Sequence, residues 1–199
     1  MVGPPRFLYY MRAMIVLLVL VAAVAAWGVW TYNRLIALRN QVQNAWKQID
    51  VQLKRRHDLI PNLVAAVKGA MEFERDTLER VMAARNRAVA APSVQESVAA
   101  EGELSRALRQ LFAVVENYPT LRANENVLKL QEELTTTENQ LGFARQFYND
   151  VAMRFNTHQE VFPASVIANQ FGFQRAEFFA ADEADRALPP VDLSLRQSR

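Results

Sequence analysis

The chain has 199 residues, of which 51% are apolar and 22% are charged, so it is long and apolar enough to form a packed core. Its 23 basic and 21 acidic residues give a net charge of +2, which does not suggest the concentrated basic face of a nucleic-acid-binding protein. The absence of cysteine excludes disulfide bonds and thiolate metal sites, while only 6 glycines and 8 prolines favour helices over turn-rich β structure.

The first predicted element is a transmembrane helix over residues 13–32, preceded by a short N-terminal segment, residues 1–12. The stretch from 13 to 32 is uncharged and corresponds to about 30 Å of helix, which matches the hydrocarbon thickness of a bilayer. Aromatic and basic residues flank both ends, as is typical of membrane interfaces. A cleaved signal peptide with its cleavage site at residues 23–25 is the alternative, but the apolar stretch continues past that site to Trp30.

Two features of the span bear on its topology and its contacts. More basic residues follow it, between Asn33 and Arg56, than precede it, which favours a cytoplasmic C-terminal domain. Ala22 and Ala26 form a small face at a spacing that would let two transmembrane helices approach closely. The simpler interpretation is that alanine is common in membrane spans.

Beyond the span, apolar residues recur at alternating steps of three and four, the pattern of a coiled-coil seam. The first seam continues directly from the membrane and is a candidate oligomer seam; it consists of Leu35, Leu38, Val42, Ala45 and Ile49. Gln52 breaks it, and Pro61 predicts a kink or a short break after His57, because proline lacks a backbone donor. The stripe then resumes, and Gly69 is not expected to end this helix.

Three further helices follow. Ser93 and Glu96 have the spacing of a capping box and predict the start of one helix, which ends at Tyr118 before Pro119. The next helix is predicted over about residues 124–158, with an unbroken seam of Val127, Leu130, Leu134, Thr137, Leu141, Ala144, Tyr148, Val151 and Phe155. A short helix over about residues 164–171 is stopped by Gly172, and residues 180–199 are predicted to be a disordered tail.

These elements predict an all-α fold. An N-terminal transmembrane helix continues into an antiparallel, coiled-coil-like helical bundle of three to four long helices, over residues 33–179.

The predicted bundle resembles the LemA family. The most specific part of the resemblance is the run over residues 48–63. Shorter matches are Tyr32-Asn33, Leu38-Arg39-Asn40, Ala45-Trp46, Val67-Lys68-Gly69, Glu116-Asn117-Tyr118-Pro119, Leu121-Arg122-Ala123-Asn124, Thr137-Glu138-Asn139, Ala144-Arg145, Tyr148-Asn149, Phe155-Asn156 and Phe162-Pro163. Relatives often place a histidine near the tip, where this chain has residues 70–74 without one, so a metal site that depends on that histidine has no support.

The resemblance implies a bacterial protein of the inner membrane with a single pass, a cytoplasmic helical bundle and no agreed biochemical activity. One branch of the family is similar to proteins of magnetosome membranes, which suggests a role in membrane organisation.

No catalytic, cofactor-binding or metal-binding residues are predicted. The Glu-x-x-His pairs of a di-iron bundle, a glycine-rich phosphate loop and a nucleophile elbow do not occur in the sequence. The two histidines, His57 and His158, lie in different segments, and no ligands cluster at zinc spacing. The sequence therefore predicts a protein that is not an enzyme.

The residues around the one basic cluster form a candidate polar or partner-binding site. They are Asp50, Lys54, Arg55, Arg56, His57, Asp58 and Asn62. The cluster has two interpretations of equal weight: it binds an anion, a lipid headgroup or an acidic partner, or it pairs within the chain with Asp50, Asp58 or a neighbouring helix. A polar network of the second kind would fix the register of the helices rather than perform chemistry.

Three functions are compatible with these features. The preferred hypothesis is a non-enzymatic scaffold of the bacterial cell envelope that forms homo-oligomers or binds a protein partner through its helical faces. A membrane-shaping protein is the second, with Phe171, Phe173, Phe178 and Phe179 as the residues that would act on lipid. An enzyme or ligand-binding module is the third. The expected partners are the lipid bilayer, further copies and a protein, but not nucleic acid.

Overall fold

The computed structural model describes residues 6–92 and 94–179, and the regular secondary structure in these ranges is entirely helical. In chain order the elements are α1 (Arg6–Lys68), a short 3-10 helix (Glu72–Glu74), α2 (Arg75–Ala90), α3 (Val94–Val115), α4 (Pro119–Arg122), α5 (Glu125–Glu160) and α6 (Ala164–Gln170). No strand occurs within these two ranges. The all-α prediction is confirmed, and α1, α2, α3 and α5 are its four long helices.

Internal contacts divide the chain into two compact units. Of the described residues, unit 1 contains those up to Asp50 together with Gly142–Phe178, and unit 2 contains Val51–Leu141 and Phe179. Helices α1 and α5 therefore each contribute one part to each unit.

The N-terminal part of α1, in unit 1, is exposed and strongly apolar. Every described side chain from Phe7 to Ala26 is exposed, and the most apolar window of this helix has a mean hydropathy of 2.5. Within the described part of the chain, α1 is the one helix that is long and apolar enough to cross a membrane. Ala22 and Ala26, the predicted small face, are among its exposed residues.

The seam that follows the span is buried within one chain. Leu35, Ala45 and Ile49 are fully buried, and Leu38 and Val42 are at most 9% exposed. In the same unit the α5 seam residues from Ala144 to Phe155 are also buried, and the rings of Trp46 and Tyr148 meet at 5.9 Å. Since α5 covers this side of α1, the five residues predicted as a candidate oligomer seam form an intramolecular interface, and they cannot also join two copies without opening the fold.

Helix α1 continues through Pro61, so the short break, one of the two outcomes expected after His57, does not occur. Proline has no N–H to donate to the carbonyl oxygen four residues earlier, which is that of His57. Nε of Arg85, on α2, donates to this oxygen at 3.2 Å. Because a neighbouring helix satisfies the free acceptor, α1 continues through Pro61 to Lys68.

The expectation that the helix continues past Gly69 is wrong. Helix α1 ends at Lys68, and a turn leads through the 3-10 helix into α2. The amides of Ala70 and Met71 both donate to the carbonyl oxygen of Val67 at 3.1 Å, and the Met71 side chain is completely buried in the core of unit 2. Glycine has a low helix propensity, so burying Met71 favours a turn at this position.

Helices α3, α5 and α6 lie where they were predicted to within a few residues, whereas the short helix α4 was not predicted. Asn124 caps α5, because its Oδ1 accepts hydrogen bonds from the amides of Asn126 at 3.0 Å and Val127 at 3.3 Å. Helix α6 is followed by Gly172, whose φ of 67° is the left-handed conformation that glycine favours. The capping-box residue Ser93 and the tail over residues 180–199 lie outside the described residues.

Candidate functional site: a buried ion cluster

The most distinctive polar feature of unit 2 is an ion cluster inside its core. Arg56 and His57 lie on α1, Glu101 and Ser105 on α3, and Glu138 on α5. Arg56 and Glu101 are fully buried, and His57 is 9% exposed. Charged side chains are rarely buried to this degree unless they are paired.

The helical pattern itself places these charges in the core. The buried seam of α1 in unit 2 consists of Leu53, Arg56, Ile60, Leu63 and Val67, at steps of three and four, and His57 is buried beside it. On α3 the corresponding series is Glu101, Leu104, Leu108, Leu111 and Val115. One charged residue therefore occupies a seam position on each helix, and the two carry opposite charges.

Arg56 is held by three partners. Its Nη1 donates to Oε2 of Glu101, and its Nη2 donates to Oγ of Ser105 at 2.7 Å and pairs with Oε1 of Glu138 at 2.5 Å. The Glu138 side chain is 40% exposed, so this carboxylate connects the cluster to solvent. Glu101 completes the arrangement through Oε1, which lies 2.6 Å from Nε2 of His57.

The surroundings of Glu101 lower the pKa of its carboxyl group. Burial on its own would raise this pKa, because the carboxylate loses its hydration. The hydrogen bond with His57 and the positive charge of Arg56 favour the ionised form and outweigh burial. Since Glu101 is a carboxylate, its Oε1 accepts this hydrogen bond from the Nε2–H group of His57.

Because folding lowers the pKa of Glu101, the stability of the fold depends on pH and decreases in acid. A carboxyl group whose pKa is lower in the folded state contributes stability above its unfolded pKa of about 4.3, and this contribution is lost as the pH falls through the folded value. We expect the melting temperature of the full-length chain in detergent to fall more steeply with acid, below about pH 4.3, than that of the Glu101→Gln variant.

Thermal unfolding followed by circular dichroism, from neutral to acid pH, measures this difference. Glu103→Gln is the control, because Glu103 lies on the same helix in an exposed pair with Arg87, and it should follow the wild type. Identical acid dependence in the wild type and Glu101→Gln would contradict the prediction.

The structure brings together only two of the seven residues in the predicted polar site. Arg56 and His57 join the cluster, and the other five are exposed: Asp50, Lys54, Arg55, Asp58 and Asn62. Arg56 and His57 pair with carboxylates of neighbouring helices rather than with Asp50 or Asp58.

Sequence reasoning missed Glu101, Ser105 and Glu138. A signal for Glu101 was available, since this residue continues the α3 apolar series by one step of three. No comparable signal marks Ser105 or Glu138.

Two openings in unit 2 lie near or beyond the cluster. One is a cavity of about 230 Å³ beside Arg56, and its lining also includes Arg109, Thr135 and Glu138. The other is an open groove of about 720 Å³ at the turn between α1 and α2, lined in part by Val64, Met71 and Met82. Over the described ranges, no group of three or more His, Asp or Glu residues lies close enough together to hold a metal ion.

Unit 1 contains the second histidine and most of the aromatic residues singled out in the sequence. Burial and then the charge of Arg34 lower the pKa of His158. Phe173 is partly buried: its ring lies 5.9 Å from that of Tyr32, and Arg39 lies over it at 5.7 Å. Phe171 and Phe178 are 60% and 49% exposed. In unit 2, Phe179 is buried, so only two of the four candidate lipid-contacting phenylalanines are free to contact lipid.

These features define a class of protein: a helical chain whose first helix is apolar enough to span a membrane and whose later helices pack through seams. The sequence model of the LemA family matches residues 45–193. The chain belongs to the LemA family.

The relatives that match are distant in sequence. Protein LemA of Metamycoplasma hominis is 24% identical over 77% of this chain and 71% of its own length. Magnetosome protein MamQ 2 of Paramagnetospirillum magneticum is also 24% identical, over 83% of this chain and 71% of its own length. Magnetosome protein MamQ of Magnetospirillum gryphiswaldense is 22% identical over 74% of this chain and 64% of its own length.

Proposed function

We propose that this chain is a membrane-anchored, non-enzymatic scaffold that assembles with further copies or with a protein partner through helical faces. The observation that carries the proposal is that a single helix, α1, bears both the exposed apolar stretch and the buried seam that begins at Leu35. Anchor and packing surface are therefore one rigid element within unit 1, which suits a protein that holds a domain at a membrane.

The ion cluster supports a structural role rather than a catalytic one. Both carboxylate oxygens of Glu101 are engaged, one by Arg56 and the other by His57. A catalytic carboxylate needs an oxygen that can reach a substrate or a metal ion. Opposite charges on facing seams instead favour one register of the helices over others.

The surfaces available for assembly are those that the fold leaves uncovered. Since the seam from Leu35 to Ile49 is used within the chain, contact between copies requires another face. The small face of the span, Ala22 and Ala26, is exposed and has the spacing at which membrane helices approach closely. On α5, Phe143 is 73% exposed and Phe147 is 48% exposed, which offers an aromatic face for a protein partner.

The oligomeric state of the full-length chain tests this proposal. We expect the protein to be oligomeric in detergent, and Ala22→Leu with Ala26→Leu to weaken association about tenfold, which corresponds to about 1.4 kcal/mol. The added bulk would keep the two spans apart. Analytical ultracentrifugation at several protein-to-detergent ratios measures the change. Ala23→Leu adds the same bulk on another side of the helix and is the control.

A protein that remains strictly monomeric at every ratio, and that yields no cross-linked partner in the membrane, would contradict the scaffold. An oligomer that is unaffected by the double substitution would locate the contact outside the small face.

We also propose that the chain is a single-pass protein of the bacterial inner membrane with its helical domain in the cytoplasm. The exposed apolar stretch of α1 and the basic residues that follow it support this topology. Protease added to intact spheroplasts should leave the domain uncut, and protease added to inverted vesicles should digest it. The reverse pattern would show that the domain faces outward.

A role in membrane organisation is the second candidate, because two of the relatives named above are magnetosome proteins. Reconstitution of the full chain into liposomes tests it. Vesicles whose size and shape do not change with protein density would exclude this role.

A further inference from the structure

Helix α6 lies beside the end of the predicted span. Cδ1 of Ile167 is 3.8 Å from the position that a Cβ atom would take on Gly28, and the ring of Phe171 is 4.8 Å from that of Tyr32. All four residues belong to unit 1. Because Gly28 lies within the span predicted over residues 13–32, these contacts place α6 at the depth where α1 leaves the hydrocarbon.

The segment around α6 exposes apolar side chains at this depth. We call residues 161–171 the α6 segment. Its exposed apolar residues are Val161 (55%), Phe162 (79%), Val166 (58%) and Phe171 (60%). No charged residue occurs from position 161 to position 174, and an ion pair of 3.1 Å between Glu160 and Arg175 joins the two ends of this uncharged stretch.

We propose that the α6 segment is a second membrane-contacting element, which inserts Val161, Phe162, Val166 and Phe171 into the leaflet from which α1 emerges. This inference rests on the proposed membrane anchoring of α1. It adds that unit 1 docks onto the bilayer through two elements rather than extending from it on a single helix.

A lipid surface fits the α6 segment better than a protein partner does. The exposed apolar surface of α1 extends to Trp30, two residues beyond the contact between Gly28 and Ile167, so the same bilayer reaches both elements. Arg34 lies about 3 Å along the helix beyond Tyr32, which places it in the headgroup layer just above the segment. Short apolar elements at this depth bury their side chains about 5–10 Å into the boundary between headgroups and acyl chains.

The absence of cysteine from the chain allows a direct test with single spin labels. Val166→Cys and Val161→Cys are conservative changes at two exposed sites of the segment. Phe143→Cys is the matched control, because Phe143 is equally apolar and exposed but lies about 27 Å away from Val161 along α5. Val19→Cys, in the exposed part of α1, reports whether the span itself lies in lipid.

Electron paramagnetic resonance on the full chain in phosphatidylcholine and phosphatidylglycerol vesicles compares the access of oxygen and of a water-soluble nickel complex to each label. We expect the labels at 161 and 166 to favour oxygen and to lie about 5–10 Å below the phosphates, with the label at 143 in water. Labels at 161 and 166 that favour the nickel complex as strongly as the label at 143 would overturn the inference.

The label at position 19 separates this failure from failure of the anchoring itself. With position 19 in lipid and the α6 labels in water, anchoring stands and the second contact is rejected. With all labels in water, both proposals are rejected. Circular dichroism melting of each unlabelled cysteine variant verifies that the fold is intact.

Discussion

Replacing Glu101 with alanine is expected to lower the free energy of unfolding by about 3–5 kcal/mol, because it leaves the buried guanidinium of Arg56 and the imidazole of His57 without their shared carboxylate. Arg56 would retain the hydroxyl of Ser105 and, as its one charged partner, the partly exposed Glu138, and His57 would lose its partner in the cluster. For a chain of this size the loss corresponds to a fall in melting temperature of about 6–20 °C.

The matched control is Glu103→Ala, two residues further along α3. Glu103 also pairs with an arginine, Arg87, but the two side chains are 47% and 59% exposed. Exposed pairs of this kind contribute about 0–1 kcal/mol, so this variant should melt close to the wild type. Thermal unfolding of both full-length variants in the same detergent measures the difference, and equal melting temperatures would contradict the assignment of the cluster as a determinant of stability.

A double variant distinguishes loss of pairing from simple loss of volume. Replacing Arg56 with methionine and Glu101 with leucine removes both charges while it keeps the core filled. Since apolar residues of similar volume substitute well for a buried ion pair, this variant should recover much of the stability lost in Glu101→Ala. A double variant less stable than Glu101→Ala would indicate that Ser105 and Glu138 cannot tolerate the loss of Arg56.

The second large effect is expected at Asn156, a buried side chain in unit 1. Its Nδ2 donates to the carbonyl oxygen of Ala176 at 2.9 Å, and its Oδ1 accepts from the amide of Ala176 at 2.8 Å and from Gln159 at 3.1 Å. Asn156→Ala leaves both backbone groups of the half-buried Ala176 without this partner, and full burial would make each unpaired group cost about 1–3 kcal/mol. We expect a total loss of about 2–4 kcal/mol.

Release of the chain around Ala176 provides a second measurement for this variant. Trypsin cuts after arginine, so cleavage at Arg175 should accelerate when the two hydrogen bonds to the neighbouring Ala176 are lost. Asn139→Ala is the control, because Asn139 is an exposed asparagine on the same helix and its removal should change stability by less than about 0.5 kcal/mol. Equal cleavage rates at Arg175 in both variants would show that Asn156 does not hold this segment.

The α5 seam shows how well the periodicity of apolar residues predicts which side chains are buried. All nine of its predicted positions lie on one face, and eight of them are buried. Three other features were predicted in the same way: the span, the first seam and the end of α6 at Gly172. Each depends on the spacing or the conformational preference of residues that are close together in the chain.

Only part of the candidate site was predicted. The burial of Arg56 and the identity of its partners show the reason. The burial of Arg56 can be predicted from its own helix, because Arg56 lies three residues after Leu53 and four residues before Ile60. The pairing of Arg56 with Glu101 and Glu138 cannot be predicted from one helix, because those residues lie on two other helices. The sequence left Asp50, Asp58 and a neighbouring helix open as partners, because spacing along one helix does not indicate which carboxylates the other helices supply.

The sequence by itself therefore determined that the fold is helical, which helix is apolar enough for a membrane, and which faces of the long helices are buried. Tertiary structure decided that α1 passes through Pro61, because Arg85 supplies the missing donor, and that α1 stops at Gly69, because Met71 is buried beyond the turn. It also decided the partners of Arg56 and Asn156. The physical reason is that hydrophobic spacing depends on the geometry of one helix, whereas hydrogen bonds and ion pairs between helices depend on which side chains the packing brings within about 3 Å of each other.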